Sequence, residues 1–161
     1  MLRLVLALGA VALGVWLWLA LFPSPEKVIT RRLDKLARAA SISPGAGSLA
    51  RLAGAQEVGG YFADNVEIYI DTPARQQHGA LSREDIVQAM LAAPAAGGLQ
   101  VKFPDIIVSV AADQLTAQAD VTVEARVPGE RDMMAQAMRF SLSKIDGKWL
   151  ITRVQTVRSL S

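Results

Sequence analysis

The sequence predicts an α+β domain behind one membrane-spanning helix, and three observations lead there. Residues 4–22 form a run of 19 positions without a charge. Helical spacing of apolar residues then governs 26–58. From Val66 onward the period changes to two, interrupted by one further helical stretch and closed by a run of strands. A chain of 161 residues holds one globular unit plus an appendage, which divides here into an anchor over 1–22 and a domain over 23–161.

Composition removes much chemistry. The chain has no cysteine and one histidine, which excludes disulfides, thiolate metal sites, cysteine nucleophiles and multi-histidine metal centres. Seventeen Lys and Arg against 15 Asp and Glu leave a net charge of +2, too small for a nucleic-acid footprint. No cofactor is implied.

The first element is the apolar run. About 20 residues at 1.5 Å rise cross the hydrocarbon core of a bilayer. The anchor begins at Leu4, and Trp16, Trp18 and Phe22 fit the aromatic belt at one interface. A cleaved signal peptide would need small residues before the cut, and Trp18-Leu19-Ala20 places a large ring there. Retention in the inner membrane as a single pass is therefore expected. Sidedness meets two opposed observations. Lys27, Arg31, Arg32, Lys35 and Arg38 lie close behind the span, which favours the cytoplasm. A very short basic segment before the run is the layout of a signal anchor that exports its downstream domain, and on it the domain is expected in the periplasm.

Pro23 and Pro25 break the apolar helix, with Ser24 as N-cap and Pro25 as the first residue of the next. Val28, Ile29, Leu33, Leu36, Ala37 and Ala40 recur at helical spacing over 26–40. Residues 41–48 read as a turn, and 49–58 as a second, weaker helix ended by Gly59-Gly60. Alternation over 66–71 predicts a strand with one buried face, and 72–80 reads as a loop. Ser82 and Asp85 form a capping-box pair before a helix whose stripe is Ile86, Val87, Met90 and Leu91. After a break over 94–98, one strand is expected over 100–110, with Pro104 at a bulge or an edge. A second strand over 116–127 has the cleanest alternation: Ala117, Ala119, Val121, Val123, Ala125 and Val127 share one face. Two more, over 136–145 and 148–157, meet at Asp146-Gly147, a tight-hairpin signal. Strands in an antiparallel run with helices packed on one face define the α+β class.

This order resembles the nuclear transport factor 2-like superfamily, a cone-shaped fold shared by ketosteroid isomerases and SnoaL-like cyclases. The resemblance covers about residues 26–158. It is carried by Tyr61-Phe62-Ala63-Asp64-Asn65-Val66, by Leu81-Ser82-Arg83-Glu84-Asp85-Ile86, and by Lys144-Ile145-Asp146-Gly147-Lys148-Trp149-Leu150-Ile151. It implies helices on a curved, mostly antiparallel sheet, and it says little about function. The isomerase pattern implies a catalytic aspartate six residues after Asp64, where this chain has Ile70. Asp71 is adjacent but turned to the other face by strand parity. The isomerases also use a tyrosine in the first helix, and residues 26–40 contain none. A cyclase-type acid–base pair would need His or Asp on an inner face read here as Val66, Ile68, Ile70, Ala119, Val121 and Val123.

Among the remaining polar residues, Tyr61, Asp71 and His78 are the cleft or surface candidates. His78 could be a general base at a cleft mouth, but no partner is spaced for it and an exposed loop position is expected. Asp64, Glu67 and Asp71 could hold a cation, with solvent-face decoration the expected outcome. Trp149 and Phe140 could line a pocket, and as aromatics in a terminal hairpin they are expected in the core. Charge is segregated: residues 26–39 carry +3, residues 40–138 carry −6, and residues 139–161 carry +4. Basic ends suit a position near anionic headgroups.

The expected role is an anchored interaction or scaffold module, an accessory subunit of a larger membrane assembly. Anchored members of the resembled fold act as assembly factors, as in type IV secretion systems. Its partners would be the lipid bilayer and other membrane protein subunits; a second copy of the chain and a small apolar ligand are also compatible with the layout. The alternative is a small-molecule binder or SnoaL-like enzyme using the interior of the cone, which would need at least two convergent polar groups inside.

Overall fold

The computed structural model describes residues 2–73, 75–94 and 97–157, without the side chains of residues 2–4 and 75. The Leu4 side chain, expected in the anchor, and Arg158, expected in the basic C-terminal segment, lie outside the described residues, as do residues 95 and 96 of the expected break.

Among the described residues, four helices and seven strands occur in the order α1 (Leu2–Leu21), α2 (Pro25–Ala40), α3 (Ser48–Gly59), β1 (Phe62–Thr72), β2 (Arg75–Ser82), α4 (Arg83–Ala92), β3 (Gln100–Lys102), β4 (Ile106–Val110), β5 (Thr116–Arg126), β6 (Met133–Ile145) and β7 (Lys148–Thr156). One sheet contains every strand, in the order β2-β1-β7-β6-β5-β3, with β4 also on β5. All pairs are antiparallel except β1 with β7. The fold is α+β with a curved mixed sheet, as the sequence predicts.

Helix α2 starts where Pro25 supplies the first residue, its missing N–H being one that no helix can satisfy. Ser24 is the N-cap, although its side chain makes no capping bond. Ile29, Leu33, Leu36 and Ala37 are buried. Ile29, Leu33 and Leu36 pack with Val66, Ile68, Ala119, Val121, Phe140, Leu142, Trp149 and Ile151 in one core, where Ile29 and Val66 are 0% exposed. Phe103 meets Phe140 edge to face, ring centroids 6.1 Å apart. The aromatics Phe140 and Trp149 are core residues, as expected.

Helix α4 carries the complete capping box. The Ser82 hydroxyl accepts from the Asp85 N–H at 3.1 Å, and the Asp85 carboxylate accepts from the Ser82 N–H at 2.9 Å. The hairpin between β6 and β7 turns through Asp146 and Gly147 with φ of 49° and 75°, the left-handed pair of a two-residue turn.

The structure corrects two expectations. Residues 75–82 form strand β2, paired with β1 from Asn65↔Ser82 to Thr72↔Arg75, where the sequence reads as a loop. Gln76-Gln77-His78-Gly79-Ala80 has neither alternation nor β-branched residues. Its backbone groups are satisfied by the open edge of β1, so tertiary context overrides propensity. The strand expected over 100–110 is divided into β3 and β4, both on β5. Three residues, 103–105, stand opposite two, 122–123, between Lys102↔Glu124 and Ile106↔Val121. That extra residue is a bulge on the sheet edge at Pro104, where a missing N–H costs nothing. Nearby, the bridge Ile42↔Leu99 ties the α2–α3 turn to the sheet, and Gly98 sits so close that a Cβ would lie 2.8 Å from the Ile42 carbonyl oxygen.

Candidate functional site

The interior of the cone is the place to look for chemistry, and it is made of hydrocarbon. Alternation along β1 and β5 turns Val66, Ile68, Ala119 and Val121 inward, under the apolar stripe of α2. Ile70 and Val123, also expected inside, are half-buried and pack against the same core. Among the described residues no polar or charged side chain is buried. Where the isomerase pattern implies a catalytic aspartate, Ile70 packs its side chain against the core.

Tyr61, expected at a cleft or on the surface, is buried at 8% exposure, at the junction of α3 and β1. The Arg32 guanidinium lies 4.7 Å from its ring centroid. Arg32 Nε donates to the Trp149 carbonyl at 2.6 Å, and an Nη donates to the Gly60 carbonyl at 3.0 Å. These bonds tie α2 to the end of α3 and to β7. Burial lowers the Arg32 pKa from its ordinary value, opposed by Tyr61. Burial, reinforced by Glu57, raises that of the Tyr61 phenol, with Arg32 and Arg38 opposing. The pair is a structural clamp, and the sequence offers no signal for it beyond an arginine on the flank of an amphipathic helix.

His78 is exposed, as expected, but stands in β2 rather than in a loop. It faces Tyr69 across the strand pair, ring centroids 5.8 Å apart. Asp71 is half-buried; its N–H donates to Thr156 Oγ1 at 2.9 Å, and its carboxylate accepts from Gln76 at 3.3 Å. The carboxylates do not converge. Asp64 pairs with Arg83 at 3.1 Å, and Glu67 accepts from Arg153 Nε at 2.7 Å. Arg153 also lies 5.5 Å from the Tyr69 ring centroid. Further along the same outer face Arg139 Nε donates to Asp120 at 2.6 Å. Glu67–Arg153 and Asp120–Arg139 thus pair between neighbouring strands, and no group of three acidic or histidine side chains able to hold a metal occurs among the described residues.

Two depressions in the described surface add no such convergence. One, of about 350 Å³, opens over Ser109, Gln118, Ser141, Ser143 and Thr152. Another, of about 280 Å³, lies between α2, α3 and α4 and includes Ser41, Ser43, Arg51 and Met90. An Nη of Arg51 donates to the Leu91 and Ala93 carbonyls, both at 2.9 Å, closing the end of α4. Its Nε is buried without a partner. Neither depression joins a base to an acid.

The other concentration of exposed chemistry is α1. An 18-residue window within Val5–Ala40 has a mean hydropathy of 2.4, and none of it is buried; one helix is long and apolar enough to cross a membrane. Trp16 and Trp18 are each 67% exposed, and Phe22 stacks on Trp18 with ring centroids 4.8 Å apart.

No protein-family model matches this sequence, and no curated protein matches it. Solved structures do. An NTF2-like (nuclear transport factor 2-like) protein with a cystatin-like fold from Novosphingobium aromaticivorans superposes with a TM-score of 0.63 at 14% identity, covering 92% of this chain and 90% of that one. An NTF2-like protein of unknown function from Shewanella oneidensis gives 0.60 at 12% identity, covering 83% and 98%. A proposed scytalone dehydratase from Novosphingobium aromaticivorans gives 0.56 at 15% identity, covering 82% and 83%. At such identities the likeness speaks for architecture alone, and the architecture of this chain is the NTF2-like, cystatin-like α+β fold.

Proposed function

We propose that the chain is a single-pass inner-membrane protein whose NTF2-like domain is an interaction module, an accessory subunit of a larger membrane assembly. The observation that carries this reading is an apolar helix whose described side chains, from Val5 to Leu21, are all uncovered, on a domain whose core buries no polar side chain among the described residues. A bilayer is the cover we propose for hydrocarbon of that extent. An apolar interior supplies folding energy, and among the described residues it holds no buried polar side chain of the kind that catalysis requires. The side of the membrane we propose for the domain is the periplasmic one.

Purification of the full chain from membranes in mild detergent, with stoichiometry measured by mass spectrometry, tests the role. Recovery with a membrane subunit in fixed ratio is expected, and recovery of the chain alone and soluble after alkaline carbonate overturns it. Alkaline phosphatase fused at the C-terminus should be active; an inactive fusion places the domain in the cytoplasm.

A further inference from the structure

We propose that the exposed face of α2 is a docking surface for anionic phospholipid headgroups, and that the domain sits on the bilayer with this helix against it. The inference rests on the anchoring reading and adds an orientation to it.

At about 100° per residue, Lys27, Arg31, Lys35 and Arg38 fall within roughly 80° of one another around α2. Ile29, Leu33, Leu36 and Ala37 occupy the opposite side, in the core. All four cations are exposed. No ion pair joins any of them to a carboxylate among the described residues, whereas Arg83, Arg139 and Arg153 are each paired. Half-buried Asp34 flanks the stripe, and Glu26 precedes it. Val28, 37% exposed, borders its other side.

Proximity selects the partner. Three residues separate Leu21 from Pro25, a connection that spans at most about 14 Å. The first turn of α2 therefore starts within the headgroup layer or next to it, and screening leaves charges effective over about 8–10 Å at moderate ionic strength. A helix standing upright would carry Arg38 about 16 Å beyond Lys27 and leave it without a counter-charge. Laid along the surface, the helix brings all four cations to phosphate together and keeps the core stripe pointing into the domain. The tether brings an anionic lipid surface within reach of every molecule, which an acidic protein partner would have to achieve by diffusion.

The test uses the full chain in nanodiscs and its own lysines. Lys27, Lys35, Lys102, Lys144 and Lys148 are the only primary side-chain amines, so acetylation rates read by mass spectrometry report each site. In phosphatidylcholine with about 30 mol % phosphatidylglycerol, Lys27 and Lys35 should react about threefold more slowly than in phosphatidylcholine alone, and about 0.5 M salt should remove the difference. Lys102 and Lys144 should not change. Arg31→Gln with Arg38→Gln should return Lys35 to its rate in phosphatidylcholine. A Lys35 rate independent of lipid charge overturns the proposal while leaving the anchor intact. So does protection of Lys35 that appears only when an acidic protein subunit is added. Extraction of the chain from native membranes by alkaline carbonate overturns both readings.

Discussion

Helix α1 exposes aliphatic side chains around its whole circumference from Val5 to Leu21, whereas α2, three residues later, gathers its buried aliphatics into one stripe with charge on the opposite side. Both helices are rich in Leu, Val and Ala. The difference lies in where the hydrocarbon can go. For α2 the sheet of the domain takes it, and the helix supplies Ile29 and Leu33 to the core at 0% and 1% exposure. For α1 nothing among the described residues takes it. A helix with one apolar stripe needs a single packed face, whereas one apolar all round needs cover on every side.

The largest expected effect breaks the first half of that comparison. Val11→Arg with Leu13→Arg places two charges near the middle of α1, each costing about 2.5–3.5 kcal/mol of insertion free energy. The double variant should shift from the membrane pellet to the soluble fraction after alkaline carbonate, with the thermal midpoint of the domain unchanged. A drop in that midpoint would mean that α1 packs on the domain.

The second half breaks at Leu33. Leu33→Ala should destabilise the domain by about 2–5 kcal/mol through lost burial and a cavity, read by chemical denaturation in detergent, with membrane retention intact. Val121→Ala should cost about 1–3 kcal/mol, and Val123→Ala less, because Val123 is only half-buried.

Much of this contrast is legible in the sequence. Alternation is strong wherever one face of a strand meets the core, so β1, β5 and the β6–β7 hairpin are read correctly, and the Ser82–Asp85 spacing marks the start of α4. β2 is not legible because it is a strand only by virtue of its neighbour; Gln76, Gln77 and Gly79 carry no period. The parallel pairing of Ile68 with Val154 and of Tyr69 with Gln155 joins residues too far apart in sequence for any local pattern to announce. The Arg32–Tyr61 clamp is hidden for the same reason, since its acceptors, the carbonyls of Gly60 and Trp149, bear no residue-type signature. The exposed aspect of α2 is visible as basic residues in sequence; their gathering on one side, unpaired, needs the helix.

A smaller effect sharpens the comparison at α4, which buries only Val87 among the described residues. Ser82→Ala removes the cap of α4 and should cost about 1 kcal/mol. Asp85 accepts from the Ser82 backbone N–H and hydroxyl, which lowers its pKa from the ordinary value of 3.8. A carboxyl lowered in the folded state stabilises above its unfolded value and loses that contribution as pH falls through the folded one. Asp85→Asn should therefore be less stable than the parent near neutrality, and the gap should close progressively below about pH 3.8 in pH-dependent thermal melts.

The smallest effects belong to the outer face of the sheet, where side chains stay out of the core. His78→Ala removes one ring contact with Tyr69 on an exposed strand, and surface changes of this kind stay within about 0.5 kcal/mol. Asp71→Asn keeps the shape of the side chain and its backbone bond to Thr156, so its thermal midpoint should also stay close to the parent. Stability thus isolates function at these two positions. If either group moved a proton, its loss would abolish activity in a folded, normally abundant, membrane-retained protein. In a complementation assay both variants should behave as the parent, because the interaction reading asks nothing of their titration. A null phenotype from His78→Ala or Asp71→Asn at normal protein level would place chemistry on the face opposite the apolar interior, and the domain would then have to be read as an enzyme.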